Sequence, residues 1–149
     1  MKALALTALG ALALTGCDFS GSSDFVAIPV ANVQIDNLPA MQPDGTPWDA
    51  DGAPEVFFEI QNSAGRAIWR SEQLSEAQLA QPIAIPEAVE VASATTGVTV
   101  AVFDFDTNLF ESQLMARSTS FSASELSAAS QLTLSTGNET TVTIRSAAQ

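Results

Sequence analysis

The strongest constraint on the fold of this chain is a set of short segments in which apolar and polar residues alternate. The clearest are EVFFEIQ at residues 55–61, VTVAVFDF at 98–105 and TTVTIRS at 140–146. A period of two places successive side chains on opposite faces, which is the pattern of a half-buried β-strand. Because these segments are short and separated by turn residues, they predict an all-β protein, an antiparallel β-sandwich of about seven or eight strands.

Three connections between the predicted strands stand out. Ser122 and Glu125 match a helix-starting capping box, which predicts a short helix near residues 123–130. Residues 71–81 favour one or two further helical turns. Residues 38–54 contain four prolines and no periodicity, so they are predicted to form a long loop. Loops of that length are often functional in compact domains.

The first 16 residues have the organisation of a secretory signal. Lys2 is followed by an apolar run at 3–14, which is too short to span a bilayer because a spanning helix needs roughly 20 residues. The run ends in LTGC at 14–17, which resembles the lipobox of bacterial lipoproteins. The resemblance implies cleavage before Cys17, a diacylglycerol on its thiol and an acyl chain on its amino group.

These features predict three parts: a lipoprotein signal peptide at 1–16, a lipidated flexible tether at 17–24, and the β-sandwich domain at 25–149. The lipobox resemblance implies a location in the bacterial cell envelope, with the membrane as a partner through the lipid anchor. Asp18 favours the periplasmic face of the inner membrane over the outer membrane, since it resembles a retention signal in enterobacterial lipoproteins.

The chain is strongly acidic, with five Lys and Arg against 17 Asp and Glu and a net charge of −12. Removal of residues 1–16 takes away Lys2 and leaves four arginines against the same 17 acids, a net charge of −13. Such a surface repels phosphate backbones, which argues against a nucleic-acid partner.

The composition also removes most catalytic chemistry. The chain has no His and no Tyr, its one Cys is Cys17, and its only Lys lies in the leader. These absences exclude His-dependent triads, lysine Schiff bases and zinc sites built from His or Cys. A carboxylate pair such as Asp104 and Asp106 is the remaining option, and no small-molecule substrate suggests itself. We therefore predict that the protein is not an enzyme.

The segment VAVFDFDTNLFES at 100–112 begins as a strand and ends in acid. Two carboxylates 4 Å apart repel by about 4 kcal/mol at an effective dielectric of 20, so a cluster of acids must be exposed, protonated or bound to a cation. Oxygen-only clusters suit calcium. An EF-hand is excluded, because Leu109 and Met115 stand where that motif needs Gly and Glu.

Asp104-Phe105-Asp106 after an apolar strand resembles the second calcium loop of C-two domains, the conserved-region-two domains of the protein-kinase-C and synaptotagmin type. SQLMA at 112–116 is similar to the later part of that loop, with its acids replaced. APEVFFEI at 53–60, preceded by Asp44 and other acids, is similar to the strand after the first loop. The resemblance implies an eight-stranded sandwich with calcium at one end, held by Asp49, Asp51, Glu55, Asp104, Asp106 and Glu111.

The alternative interpretation of these acids is a solvated rim, or carboxylates that cap backbone N–H groups in tight turns. The leading prediction is thus a lipid-anchored, non-enzymatic binding module for an envelope protein, with calcium organising loops 38–54 and 104–112. A metal-free structural or assembly subunit is the second hypothesis, and a carboxylate-dependent hydrolase is the third.

Overall fold

The computed structural model of the protein describes residues 25–49, 53–106 and 111–147, without the side chain of Glu111. The predicted signal peptide, the lipidation site Cys17 and its tether, and the predicted metal ligand Asp51 therefore lie outside the described residues.

Within these ranges the chain forms ten strands and two short helices. The strands are β1 (Val26–Ile28), β2 (Val30–Asp36), β3 (Val56–Asn62), β4 (Ala67–Arg70), β5 (Ile83–Ala84), β6 (Val89–Val91), β7 (Val98–Asp106), β8 (Glu111–Arg117), β9 (Gln131–Ser135) and β10 (Thr141–Ser146). The helices are α1 (Glu76–Leu79) and α2 (Ala123–Ala129).

The strands make two four-stranded antiparallel sheets, in the orders β5-β2-β10-β9 and β4-β3-β7-β8, and β1 pairs with β6 separately. We call them the first and second sheet. The predicted all-β antiparallel sandwich is confirmed. Its strands outnumber the expected seven or eight for two reasons. Pro29, which has no N–H to donate, separates β1 from β2, and residues 111–117 form β8, whereas a loop was expected over 104–112.

The inner faces of the two sheets share one hydrophobic core. Alternate residues of the central strands supply its fully buried side chains: Val33, Ile35, Val142 and Ile144 from the first sheet, and Val56, Phe58, Ile60, Val98, Val100 and Val102 from the second. On β3 the neighbour Phe57 points the other way, so the second sheet also carries an aromatic residue on its outer face.

Both predicted helical connections are present and begin with a capping box. At α2 the Ser122 side chain accepts from the Glu125 N–H, and the Glu125 carboxylate accepts from the Ser122 N–H at 2.7 Å. Ser130 then ends the helix in the left-handed conformation at φ 60. Ser75 and Gln78 form the same arrangement at α1. Neither helix of the described chain is long and apolar enough to cross a membrane.

The two faces of the second sheet should respond differently to truncation. Phe58 is fully buried, so Phe58→Ala is expected to lower the free energy of unfolding by about 3–5 kcal/mol. Leu114 is 47% exposed, so Leu114→Ala is expected to change it by less than about 0.5 kcal/mol. Urea unfolding of both variants measures the difference, and similar losses would contradict the assignment of faces.

Candidate functional site

The acidic end of β7 is built by the same alternation that builds the core. Val98, Val100 and Val102 point inward, and Asp104 occupies the next inward position, paired across the sheet with the core residue Val56. Asp104 is accordingly 0% exposed. The solvated-rim alternative is therefore wrong for Asp104, because β7 continues to Asp106 and carries the Asp104 side chain inward.

The described residues supply no hydrogen-bond partner to the buried carboxylate of Asp104. Neither Oδ1 nor Oδ2 has a partner within hydrogen-bonding distance in the described part of the chain. A buried polar group left without a partner costs about 1–3 kcal/mol, and an ionised group costs more. The arrangement therefore favours either a proton or a cation at this carboxylate.

The electrostatics of the site show which acids lie close to Asp104. Burial, followed by the negative charges of Asp49, Asp106 and Glu55, raises the pKa of Asp104 to about 6, although the nearby backbone N–H of Phe105 acts in the opposite direction. The charges of three other predicted calcium ligands therefore act on Asp104 at this end of the sandwich. The other two predicted ligands, Asp51 and the side chain of Glu111, lie outside the described residues.

Backbone contacts fix the position of two of these acids. The N–H of Phe105 donates to the carbonyl oxygen of Glu55 at 2.9 Å, which joins the start of β3 to the end of β7. Asp49 follows Trp48, whose indole Nε1–H donates to the Pro39 carbonyl at 2.7 Å and whose side chain is buried. The buried indole thus anchors the long loop that carries Asp49.

Asp44, in the same loop, serves a different purpose. Its carboxylate accepts from the Thr46 hydroxyl at 2.6 Å and from the Thr46 N–H at 3.0 Å. These hydrogen bonds hold the pKa of Asp44 below its usual value. Asp44 therefore stabilises a turn, as the capping interpretation predicts, whereas Asp104 does not.

Glu59 is a second buried carboxylate in this sheet, and both of its oxygens accept hydrogen bonds. Glu59 is 5% exposed and lies on the outer face of β3. Its Oε1 accepts from Arg70 Nε at 2.8 Å, and its Oε2 accepts from Gln61 Nε2 at 2.6 Å. The sequence pattern does not reveal this group, because its partners come together only through strand pairing and the alternation on β3.

The carboxylates do not by themselves complete a metal site. Across residues 25–49, 53–106 and 111–147, no group of three His, Cys, Asp or Glu side chains is placed to hold a metal ion. Calcium takes six to eight oxygen ligands, so further ligands would have to come from beyond the described residues, from backbone carbonyls or from water. The orphaned oxygens of Asp104 fit a cation, and the rest of the donor set is oxygen only.

No protein-family model and no curated protein matches the sequence. Among solved structures, the chain is similar to one of extended-synaptotagmin 2 that is described as containing two C-two domains with calcium bound. The TM-score is 0.46 at 13% identity, over 82% of this chain and 46% of that chain. The match spans less than half the length of that protein chain, and at this TM-score it assigns neither a family nor a function.

The burial of Asp104 predicts a pH dependence of stability in the metal-free protein. The folded-state pKa of about 6 lies above the unfolded value of about 3.9, so the folded state binds more protons between them. The parent should therefore lose about 2 kcal/mol, relative to Asp104→Asn, as the pH rises from about 4 to about 6. The difference should level off above about pH 7, where the folded-state carboxyl is fully ionised.

Urea unfolding of both proteins in a metal chelator, at several pH values across this window, measures the effect. A difference between parent and variant that does not change with pH would show that the Asp104 carboxyl titrates normally in the folded state.

Proposed function

We propose that this chain is a non-enzymatic binding module of the bacterial cell envelope, anchored by lipid on Cys17, that takes up calcium at the acidic end of β7. One observation carries the calcium part of the proposal. Asp104 is fully buried, neither of its carboxylate oxygens has a hydrogen-bond partner among the described residues, and the charges of three other acids act on it.

The candidate ligands among the described acids are Asp104 and Asp106 of β7, Asp49 and Glu55; no three of them converge on one centre, so the ion would draw its other oxygens from outside the described residues, from backbone carbonyls or from water. Asp51 and Glu111 are further candidates from the sequence. A divalent cation would offset the repulsion among these carboxylates and supply the partner that Asp104 lacks. It would also link the long loop before β3 to the end of β7, so its expected role is to organise a binding surface.

The chemistry of the chain supports binding over catalysis. With no His or Tyr in the sequence and no Lys beyond Lys2, few groups can serve as a general base or nucleophile near neutral pH. A protein held at a membrane by acyl chains gains little from a second membrane contact. An envelope protein is therefore the expected partner, and the expected contact is the acidic tip, by which we mean the end of β7 at Asp104 and Asp106 with the loop before β3.

The lipid anchor is supported by the sequence alone. LTGC at 14–17 follows a charged and apolar leader, and Cys17 is the only cysteine available for modification. Two or three acyl chains, at about 0.8 kcal/mol per buried CH₂, make a stable anchor, whereas one chain does not.

A metal-free structural or assembly subunit is the second candidate function. It is favoured by the finding that no three potential ligands within the described ranges are positioned around a common metal centre. Under this alternative Asp104 is protonated or solvated locally, and the partner binds elsewhere on the sandwich.

The first test is a terbium titration of the full chain in mild detergent. Because Asp49 directly follows Trp48, bound terbium should be sensitised by excitation of the indole. We expect saturable luminescence that calcium reverses, together with a calcium-dependent rise in the melting temperature. Asp104→Asn should weaken calcium binding at least about tenfold, because it removes the charge that lacks a donor.

Asp44→Asn is the matched control, since it removes one acid from the neighbouring loop and an Asn can keep the turn at Thr46. Its calcium affinity should stay within about twofold of the parent. No luminescence and an unchanged melting temperature in the parent would reject calcium binding and leave the metal-free subunit.

The anchor is tested by feeding cells an alkyne-tagged palmitate and detecting its incorporation into the protein. Cys17→Ser should abolish the label, because it removes the thiol and the cleavage site that acylation requires. Asp18→Asn, which leaves the lipobox intact, should retain it. A parent chain that takes up no label would show that the lipobox assignment is wrong.

A further inference from the structure

The outer face of the second sheet carries two neighbouring rows of side chains that the proposed calcium tip does not use. The first row is apolar and runs across three strands as Phe57, Phe103 and Leu114. The second row runs across four strands and contains Arg70, Glu59, Ala101 and Arg117. We call these rows together the arginine–aromatic face.

The apolar row is ordered and partly open to solvent. The rings of Phe57 and Phe103 stack at a centroid distance of 5.2 Å and an interplanar angle of 13°. The guanidinium carbon of Arg70 lies 4.6 Å from the centre of the Phe57 ring. At the end of the row Leu114 is 47% exposed, one of three large hydrophobic side chains so exposed among the described residues.

The charged row has a net positive charge, whereas the whole chain is strongly negative. It holds two arginines and one acid, in a chain whose net charge is −12. Glu59 is already neutralised by Arg70 at 2.5 Å. Arg117 is exposed and makes no ion pair with any residue the structure describes. An exposed arginine without an ion pair, near an exposed aliphatic and a half-buried aromatic side chain, resembles the composition of protein-binding surfaces.

From these contacts we infer that the arginine–aromatic face binds an apolar segment of another protein that carries one or two carboxylates. Arg117 pairs with a carboxylate, and Leu114 and Phe103 pack against the apolar side chains. Arginine suits this role because its planar fork binds a carboxylate through two hydrogen bonds.

The global charge limits how acidic the partner is. A chain of net charge −12 repels extended anionic surfaces over a Debye length of about 8 Å, so a bilayer of anionic lipid or a polyanion is disfavoured. A segment with few acids escapes most of that repulsion and still meets Arg117 at short range.

The test is selection of a random displayed-peptide library on the full chain in mild detergent, with three variants in parallel. Arg117→Gln and Leu114→Ser change the face. Thr133→Glu is the control, because Thr133 is exposed on the first sheet and the substitution shifts the net charge by the same −1 as Arg117→Gln. Melting temperatures of the variants establish that each is folded.

The parent and Thr133→Glu should enrich peptides in which Asp or Glu adjoins an aromatic or aliphatic residue. By fluorescence anisotropy these peptides should bind Arg117→Gln and Leu114→Ser at least about tenfold more weakly. Replacing their Asp or Glu by Asn or Gln should cause a similar loss on the parent and none on Arg117→Gln.

Three results would overturn the inference: no enriched peptide, peptides that bind Arg117→Gln as well as the parent, or an equal loss with Thr133→Glu. Arg117-dependent binding to phosphatidylglycerol mixed micelles, with no peptide enriched, would assign the face to lipid and reject a protein partner. None of these outcomes depends on calcium at the acidic tip, so the two proposals are tested separately.

Discussion

The inward alternation of β7 is the constraint on which most of this structure depends. The strand lies inside its sheet between β3 and β8, and its residues Val98, Val100 and Val102 form part of the core. A shift of one residue would turn all three valines to the outer face, so the register is fixed by burial. The same register carries Asp104 inward at the end of the strand, where no donor from the described residues meets it.

The second sheet therefore contains two buried carboxylates, of which one has hydrogen-bond partners and the other has none among the described residues. Glu59 has an arginine and an amide as partners, so it behaves as a structural group. At Asp104, burial and the charges of three other acids disfavour the ionised carboxylate, so ionisation of this group destabilises the folded state. A destabilising group retained in an otherwise consistent core is typical of a functional position. The proposed cation explains why the acid at this position is tolerated.

Local patterns predicted those parts of the fold that depend on local chemistry. The alternation of residues 55–61, 98–105 and 140–146 identified three central strands, and Ser122 with Glu125 identified α2. β8 was missed, because SQLMA does not alternate cleanly and a bulge in its pairing with β7 interrupts it. The Glu59–Arg70 pair and the arginine–aromatic face were also missed, since both arise from pairing between strands. The burial of Asp104 could have been predicted from the sequence, because Val98, Val100, Val102 and Asp104 are spaced two residues apart and so lie on the same face of β7.

The most direct test of the central claim is a crystal structure of the full chain grown with terbium, with anomalous scattering used to locate the ion. We expect a terbium peak with an Asp104 carboxylate oxygen at about 2.3–2.6 Å, the range of calcium–oxygen bonds, and with other acids at this end of the sandwich as further ligands. An Asp104 carboxyl group bonded to protein donors or ordered water, with no anomalous peak beside it, would contradict the account.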